Sequence, residues 1–258
     1  MKVALCISGE LRSYQKTFQE LKNNIIDKLN PDIFIYSWND VGGTWKARAQ
    51  DNKYNGFFVD DFNRYDKLEK NVEKLYSPRK IVLEEFKESY KDKIKNVSRP
   101  HELLRNPDKN RWSKYNLPMF YTMYECNKLK SEAEKEDGKK YDLVIKARTD
   151  VRFPEIPKNI INKLDVLWYY PKDHNEAHIV SDKFAFSNSD IMDYYCDVFP
   201  RLNTYWSEGM YNSLGIWKIG EEMMWHHFYD KSDIKVCSFG DEYYDSQKAQ
   251  KDLIELKQ

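Results

Sequence analysis

The chain has 258 residues, within reach of a single α/β domain built on one large core. Its 41% hydrophobic and 33% charged residues describe a globular protein with a well-solvated surface. With 42 basic side chains against 42 acidic ones, no global positive field exists to hold nucleic acid by counterion release, so nucleic acid is set aside as a partner.

The apolar run Val3 to Ile7, ending at Ser8-Gly9, predicts a buried strand that stops at a tight turn. From Ser13 to Leu29, Phe18, Leu21, Ile25, Ile26 and Leu29 recur every three or four residues, which predicts an amphipathic helix stopped by Pro31. A second strand covers Asp32 to Trp38, so the chain opens as a strand-helix-strand unit whose strands should be parallel. Asn39 to Tyr65 carries Gly42-Gly43 and Gly56 without periodicity and reads as a loop excursion or lid.

Arg79 to Phe86 reads as a third strand. After a polar stretch interrupted by Pro100 and Pro107, a long helix is expected to open at Pro118, run to about Glu136 and close at Asp137-Gly138. Its charged run from Lys128 to Lys140 alternates in sign, as a solvated helix face does. Tyr141 to Ile145 and Val166 to Tyr170 read as strands, Phe184 to Ser187 as a short strand, and Ser189 to Phe199 and Glu221 to Tyr229 as helices. Ile234 to Phe239 completes the set as a strand. The expectation is an α/β fold, a mixed and mostly parallel sheet flanked by helices, as one domain over residues 1–258. The polar C-terminus reads as a surface helix, with peripheral membrane contact a minor alternative.

Four cysteines, Cys6, Cys126, Cys196 and Cys237, lie far apart with no CxxC pair, which argues against a zinc site or a disulfide framework. The apolar run near the N-terminus is too short for a signal-peptide core and no later stretch approaches a membrane span, so a cytoplasmic protein is expected.

Chemistry concentrates where the strand Tyr141 to Ile145 runs into Lys146-Ala-Arg148-Thr-Asp150-Val-Arg152. In open α/β sheets ligands bind at the carboxyl ends of strands. A carboxylate there can hold a divalent ion and arginines can pair with phosphate oxygens, although a salt-bridged strand end reads the same way. The segment resembles the metal-binding DxD segment of GT-A glycosyltransferases, with Asp150 matching the last carboxylate and Arg148 standing in place of the first. An arginine cannot ligate a metal and would instead neutralise a diphosphate itself. Over nearly its full length the chain is similar to a group of bacterial and viral polysaccharide glycosyltransferases. The likeness rests on ALCISGELRSY, DIFIYSW, YDLVIKARTD, SDKFAFSNSDIMDYY and GEEMMWHHF, in that order.

The resemblance implies a GT-A-like, Rossmann-like fold and transfer of a sugar from a nucleotide-diphosphate sugar to a glycan or polysaccharide acceptor. It implies Mn²⁺ or Mg²⁺ as cofactor. Ser8, Gly9, Arg12, Arg148 and Asp150 would bind donor, and Asp150 and His227 would hold metal. Glu221, or else Asp182, would deprotonate the acceptor hydroxyl if the reaction inverts the anomeric centre. Each residue has a plainer reading: a strand-to-helix turn for Gly9 and Arg12, a cap at the start of a strand for Asp182, dipole-favoured acid for Glu221, packing for His227. Two other functions share the pattern: a catalytically inactive carbohydrate- or nucleotide-binding module, and a nucleotidyl or phosphoryl transferase. Against the latter, no glycine-rich phosphate loop with lysine occurs.

Overall fold

The computed structural model describes residues 1–39, 68–85, 110–151, 153, 155–170, 180–207, 221–229 and 232–239. The excursion expected over Asn39 to Tyr65 and the C-terminal surface helix fall almost wholly outside these residues, as does Arg152. β1 (Val3–Gly9) and β2 (Asp32–Trp38) are the two opening strands, joined by α1 (Tyr14–Leu21). The helix continues through a π-helical turn (Lys22–Ile26) into a last α-helical turn (Asp27–Leu29), and Asn30 ends it in the left-handed region at φ 45° just before Pro31. β1 and β2 pair in parallel, Ala4 opposite Asp32 through Gly9 opposite Ser37.

α2 (Leu68–Tyr76) and β3 (Lys80–Glu84) follow. The helix was not anticipated, although Leu68, Val72 and Tyr76 lie four residues apart and are all buried. α3 (Asn110–Asp137) precedes β4 (Leu143–Ala147), β5 (Leu167–Tyr169) and β6 (Phe184–Ser187). After them come α4 (Ser189–Cys196), α5 (Val198–Ser207), α6 (Glu221–Tyr229) and β7 (Val236–Ser238).

Two helix boundaries correct the sequence reading. Pro118 does not open the long helix but lies inside it. A prolyl φ is itself helical, and the lost N–H and the clash one turn back are outweighed where Phe120, Tyr121, Met123 and Cys126 bury almost completely. The helix expected over Ser189 to Phe199 breaks at Asp197 (φ −86°, ψ 20°). Pro200 has no N–H for the Cys196 carbonyl, so a new helix starts with proline in its first turn.

The strands form one seven-stranded sheet in the order β3-β2-β1-β4-β6-β5-β7. β6 alone runs antiparallel to its neighbours, between β4 and β5; the other pairings are parallel. The α/β class and the mixed, mostly parallel sheet are therefore as expected. The alternation of side chains along each strand feeds two cores. Ala4, Cys6, Phe34, Tyr36 and Val144 join residues of α3 to α6 on one face, and Leu5, Ile7, Ile33, Ile35 and Ile145 join α1 and α2 on the other. Among the described residues no helix is long and apolar enough to cross a membrane. The four cysteines are free and buried.

Candidate functional site

β1 has β2 on one side and β4 on the other. The chain runs outward from β1 to β3 and then crosses back to β4, so β1 and β4 flank a switch point, where open α/β sheets leave a crevice at the carboxyl ends of their strands. Because β6 is reversed, its leading residues Asp182 and Lys183 reach the same end of the sheet. Arg148 N–H bonds to the Lys183 carbonyl at 2.9 Å there.

Two turns meet at this crevice. β1 leaves the sheet through Gly9, whose φ of +99° is a conformation an L side chain rarely adopts. Its carbonyl accepts from Ser37 Oγ at 2.6 Å. Gly9→Ala is therefore expected to cost about 1–2 kcal/mol through backbone strain alone, since a Cβ there would meet nothing within 4 Å. A urea midpoint unchanged from wild type would count against it. The turn is stitched to the end of β4: Ser13 Oγ and Thr17 Oγ1 donate to the Thr149 carbonyl at 3.0 and 2.7 Å, and Thr149 Oγ1 donates to the Glu10 carbonyl at 3.1 Å.

This frame aligns a chain of alternating charges. Arg12 Nε pairs with Glu10 at 2.7 Å and its Nη1 with Asp150 Oδ2 at 2.7 Å. Arg148 grips the same carboxylate with two donors, Nε to Oδ1 at 2.9 Å and Nη2 to Oδ2 at 2.7 Å, while its Nη1 reaches Asp182 at 2.6 Å. Burial alone would raise the pKa of Asp150, but Arg148 and Arg12 hold the carboxyl well below the usual range. Asp182 is likewise pushed up by burial and brought down further by Arg148 and Lys146. Burial disfavours the Arg148 cation, yet Asp182 and Asp150 hold it above its ordinary value.

Of the residues singled out by sequence, Gly9, Arg12, Arg148, Asp150 and Asp182 are thus brought together. Ser8 is buried in β1 opposite Tyr36, one residue before the turn. Glu221 is the first residue of α6, and its side chain lies outside the described set. His227 stands apart: its Nε2 bonds to the Tyr194 carbonyl at 2.7 Å, its Nδ1 to the Tyr205 hydroxyl, and its ring stacks on Tyr194 at 4.0 Å. None of these contacts reaches the arginine–carboxylate chain.

Two participants were missed. Glu10 was passed over as part of the turn, and Lys146 as one member of the charge cluster, although a lysine inside the apolar run Leu143-Val-Ile-Lys146-Ala was visible as an anomaly. No protein-family model and no curated protein matches the chain. Among the described residues no group of three or more His, Cys, Asp or Glu side chains gathers for a metal ion.

Proposed function

We propose that the chain is a nucleotide-sugar-dependent glycosyltransferase of GT-A-like architecture that binds the donor diphosphate over the ends of β1 and β4. The observation that carries this reading is the Arg12–Asp150–Arg148–Asp182 chain at the topological switch point of a mostly parallel sheet. Two guanidinium groups fixed by internal carboxylates are preorganised partners for phosphate oxygens, and they stabilise the charge that builds on the leaving diphosphate as the anomeric bond breaks.

Of the three carboxylates in this chain of charges, Asp150 stands between the two arginines and would be the hard ligand for Mn²⁺ or Mg²⁺, the remaining ligands coming from phosphate and water. When bound, such an ion supplies further neutralisation of the diphosphate. His227, with both nitrogens engaged by Tyr194 and Tyr205, is left out of that role.

A depressed, arginine-bound Asp182 is a poor proton acceptor, so its part is to orient Arg148, and deprotonation of the acceptor hydroxyl in an inverting reaction falls to Glu221. The acceptor is a glycan or polysaccharide. Four buried free thiols fit a cytoplasmic location. A catalytically inactive nucleotide- or carbohydrate-binding module is the second reading, favoured by the full engagement of Asp150 with arginines.

Thermal-shift and hydrolysis assays with UDP-, GDP-, CMP- and dTDP-sugars, with and without Mn²⁺, separate the two. The transferase is expected to show Mn²⁺-dependent stabilisation and slow donor hydrolysis with one nucleotide class, both lost in Asp150→Ala. Stabilisation without hydrolysis selects the inactive module, and no response to any nucleotide removes the donor site.

A further inference from the structure

Two lysines with wholly buried side chains sit in opposite circumstances. Lys130 is held by Glu134 at 2.9 Å, Asp193 at 2.7 Å and Ser189 Oγ at 2.7 Å. Lys146 is only 1% exposed, and among the described residues its ammonium has no hydrogen-bond partner. It lies in β4 between Cys6 of β1 and Ala185 of β6, on the face that also carries Val144. A buried ammonium without a partner is costly, and valine or isoleucine at that strand position would avoid the cost.

The charged and titratable groups around it explain what it stands ready to do. Asp182, before β6, is the main attractive charge, Arg148 the main repulsive one, and Cys196 and Asp150 weaker attractions, while Cys6 faces it across the strand pair. Burial lowers the Lys146 pKa to about 8, with Asp182 opposing the shift. Asp182 thus has one cation bound to it, Arg148, and feels the charge of a second, Lys146, which lies in β4 two residues before Arg148. Arg148 meanwhile commits three of its five N–H donors, on Nε, Nη1 and Nη2, to internal carboxylates, so an incoming anion must share the guanidinium with both.

We propose that Lys146 is the stand-by counter-ion of Asp182: when an anionic diphosphate draws the Arg148 guanidinium away, the Asp182 carboxylate passes to the Lys146 ammonium. The transfer opens Arg148 Nη1 to the ligand without stranding a buried carboxylate. Lys146 is in this sense a positioning residue that acts through Asp182, and the inference rests on the donor-site reading.

The test follows the side-chain nitrogen of Lys146 by NMR in ¹⁵N-lysine-labelled protein, the resonance being assigned by its loss in Lys146→Met. The titration midpoint of Lys146 is expected to rise by more than one pH unit when inorganic pyrophosphate saturates the wild type. The same rise is expected without ligand in Arg148→Gln, and it should vanish in Arg148→Gln/Asp182→Asn. A rise that survives Asp182→Asn reports only relief from Arg148's repulsion and overturns the transfer. If the arginine variants do not fold, the wild type decides: pyrophosphate that perturbs the arginine side-chain signals while the Lys146 midpoint stays fixed overturns the transfer and leaves the donor site standing. Pyrophosphate and nucleotide sugars that perturb neither set of signals overturn both. A Lys146 response in Arg148→Gln with no ligand binding to the wild type keeps the Asp182–Lys146 pairing and overturns its coupling to a ligand.

Discussion

Arg148→Met is expected to lower unfolding stability by about 3–5 kcal/mol, the range for removing one partner of a buried ion pair, and to abolish donor-induced stabilisation. The size follows from what the substitution leaves behind. Asp182 is 2% exposed and loses the only guanidinium contact it has among the described residues, while Asp150 loses both Arg148 donors and keeps Arg12. Methionine replaces much of the volume of the arginine stem, so the loss is electrostatic and not a cavity.

The pH dependence carries the same signature. Asp150 and Asp182 have carboxyls depressed in the folded state, so the stability they contribute is present above the unfolded carboxylate range, near pH 4, and drains away as pH falls below it. Without Arg148 that acid limb should flatten or reverse. Adding Asp182→Asn should recover part of the loss, because a neutral amide needs no cation; a coupling below about 0.5 kcal/mol in the double-mutant cycle would mean the pair does not act as a unit. Chemical denaturation at pH 7, near pH 4 and at about pH 2.5 supplies both numbers.

The elements that build this site were legible because they rest on local rules. Continuous apolar runs mark strands buried on two faces, and the break in such a run at Ser8-Gly9 marks the turn. Asp150, Arg148 and Arg12 were visible as charges at strand ends. What the sequence could not show is long-range pairing. Arg12 and Asp150 are 138 residues apart, and Arg148 and Asp182 are 34 apart, so their salt bridges exist only once β1, β4 and β6 are neighbours. The reversal of β6 was equally hidden, because a short apolar strand reads alike in either direction. His227 shows the opposite case: the resemblance offered a metal ligand, and the packed aromatic layer of α4, α5 and α6 uses its nitrogens first.

That burial makes His227 an acid-sensitive element. The Tyr194 carbonyl can only accept, so Nε2 carries the proton and Nδ1 accepts from the Tyr205 hydroxyl, a neutral imidazole with both nitrogens satisfied. A second proton would leave Nδ1–H facing that hydroxyl in a site sealed from water. Burial accordingly lowers the His227 pKa to about 3, with the Tyr194 carbonyl opposing the shift and Arg201 and His226 adding to it.

The unfolded imidazole titrates near pH 6.5, so between that value and about 3 the unfolded chain binds a proton the folded chain refuses, and stability falls as pH falls. From this group alone the wild type is expected to lose about 2 kcal/mol between pH 6 and pH 4.5, close to the limiting slope of ~1.4 kcal/mol per pH unit. The window lies above the range where the depressed carboxyls of Asp150 and Asp182 contribute. His227→Gln retains a donor for the Tyr194 carbonyl but removes the titration. It should be less stable than wild type by about 1–2 kcal/mol at pH 7, for the lost Tyr205 bond, and markedly less pH-dependent from 6 to 4.5. Urea unfolding of the two proteins at four pH values in that interval measures the slopes, and equal slopes would place the acid sensitivity elsewhere in the fold.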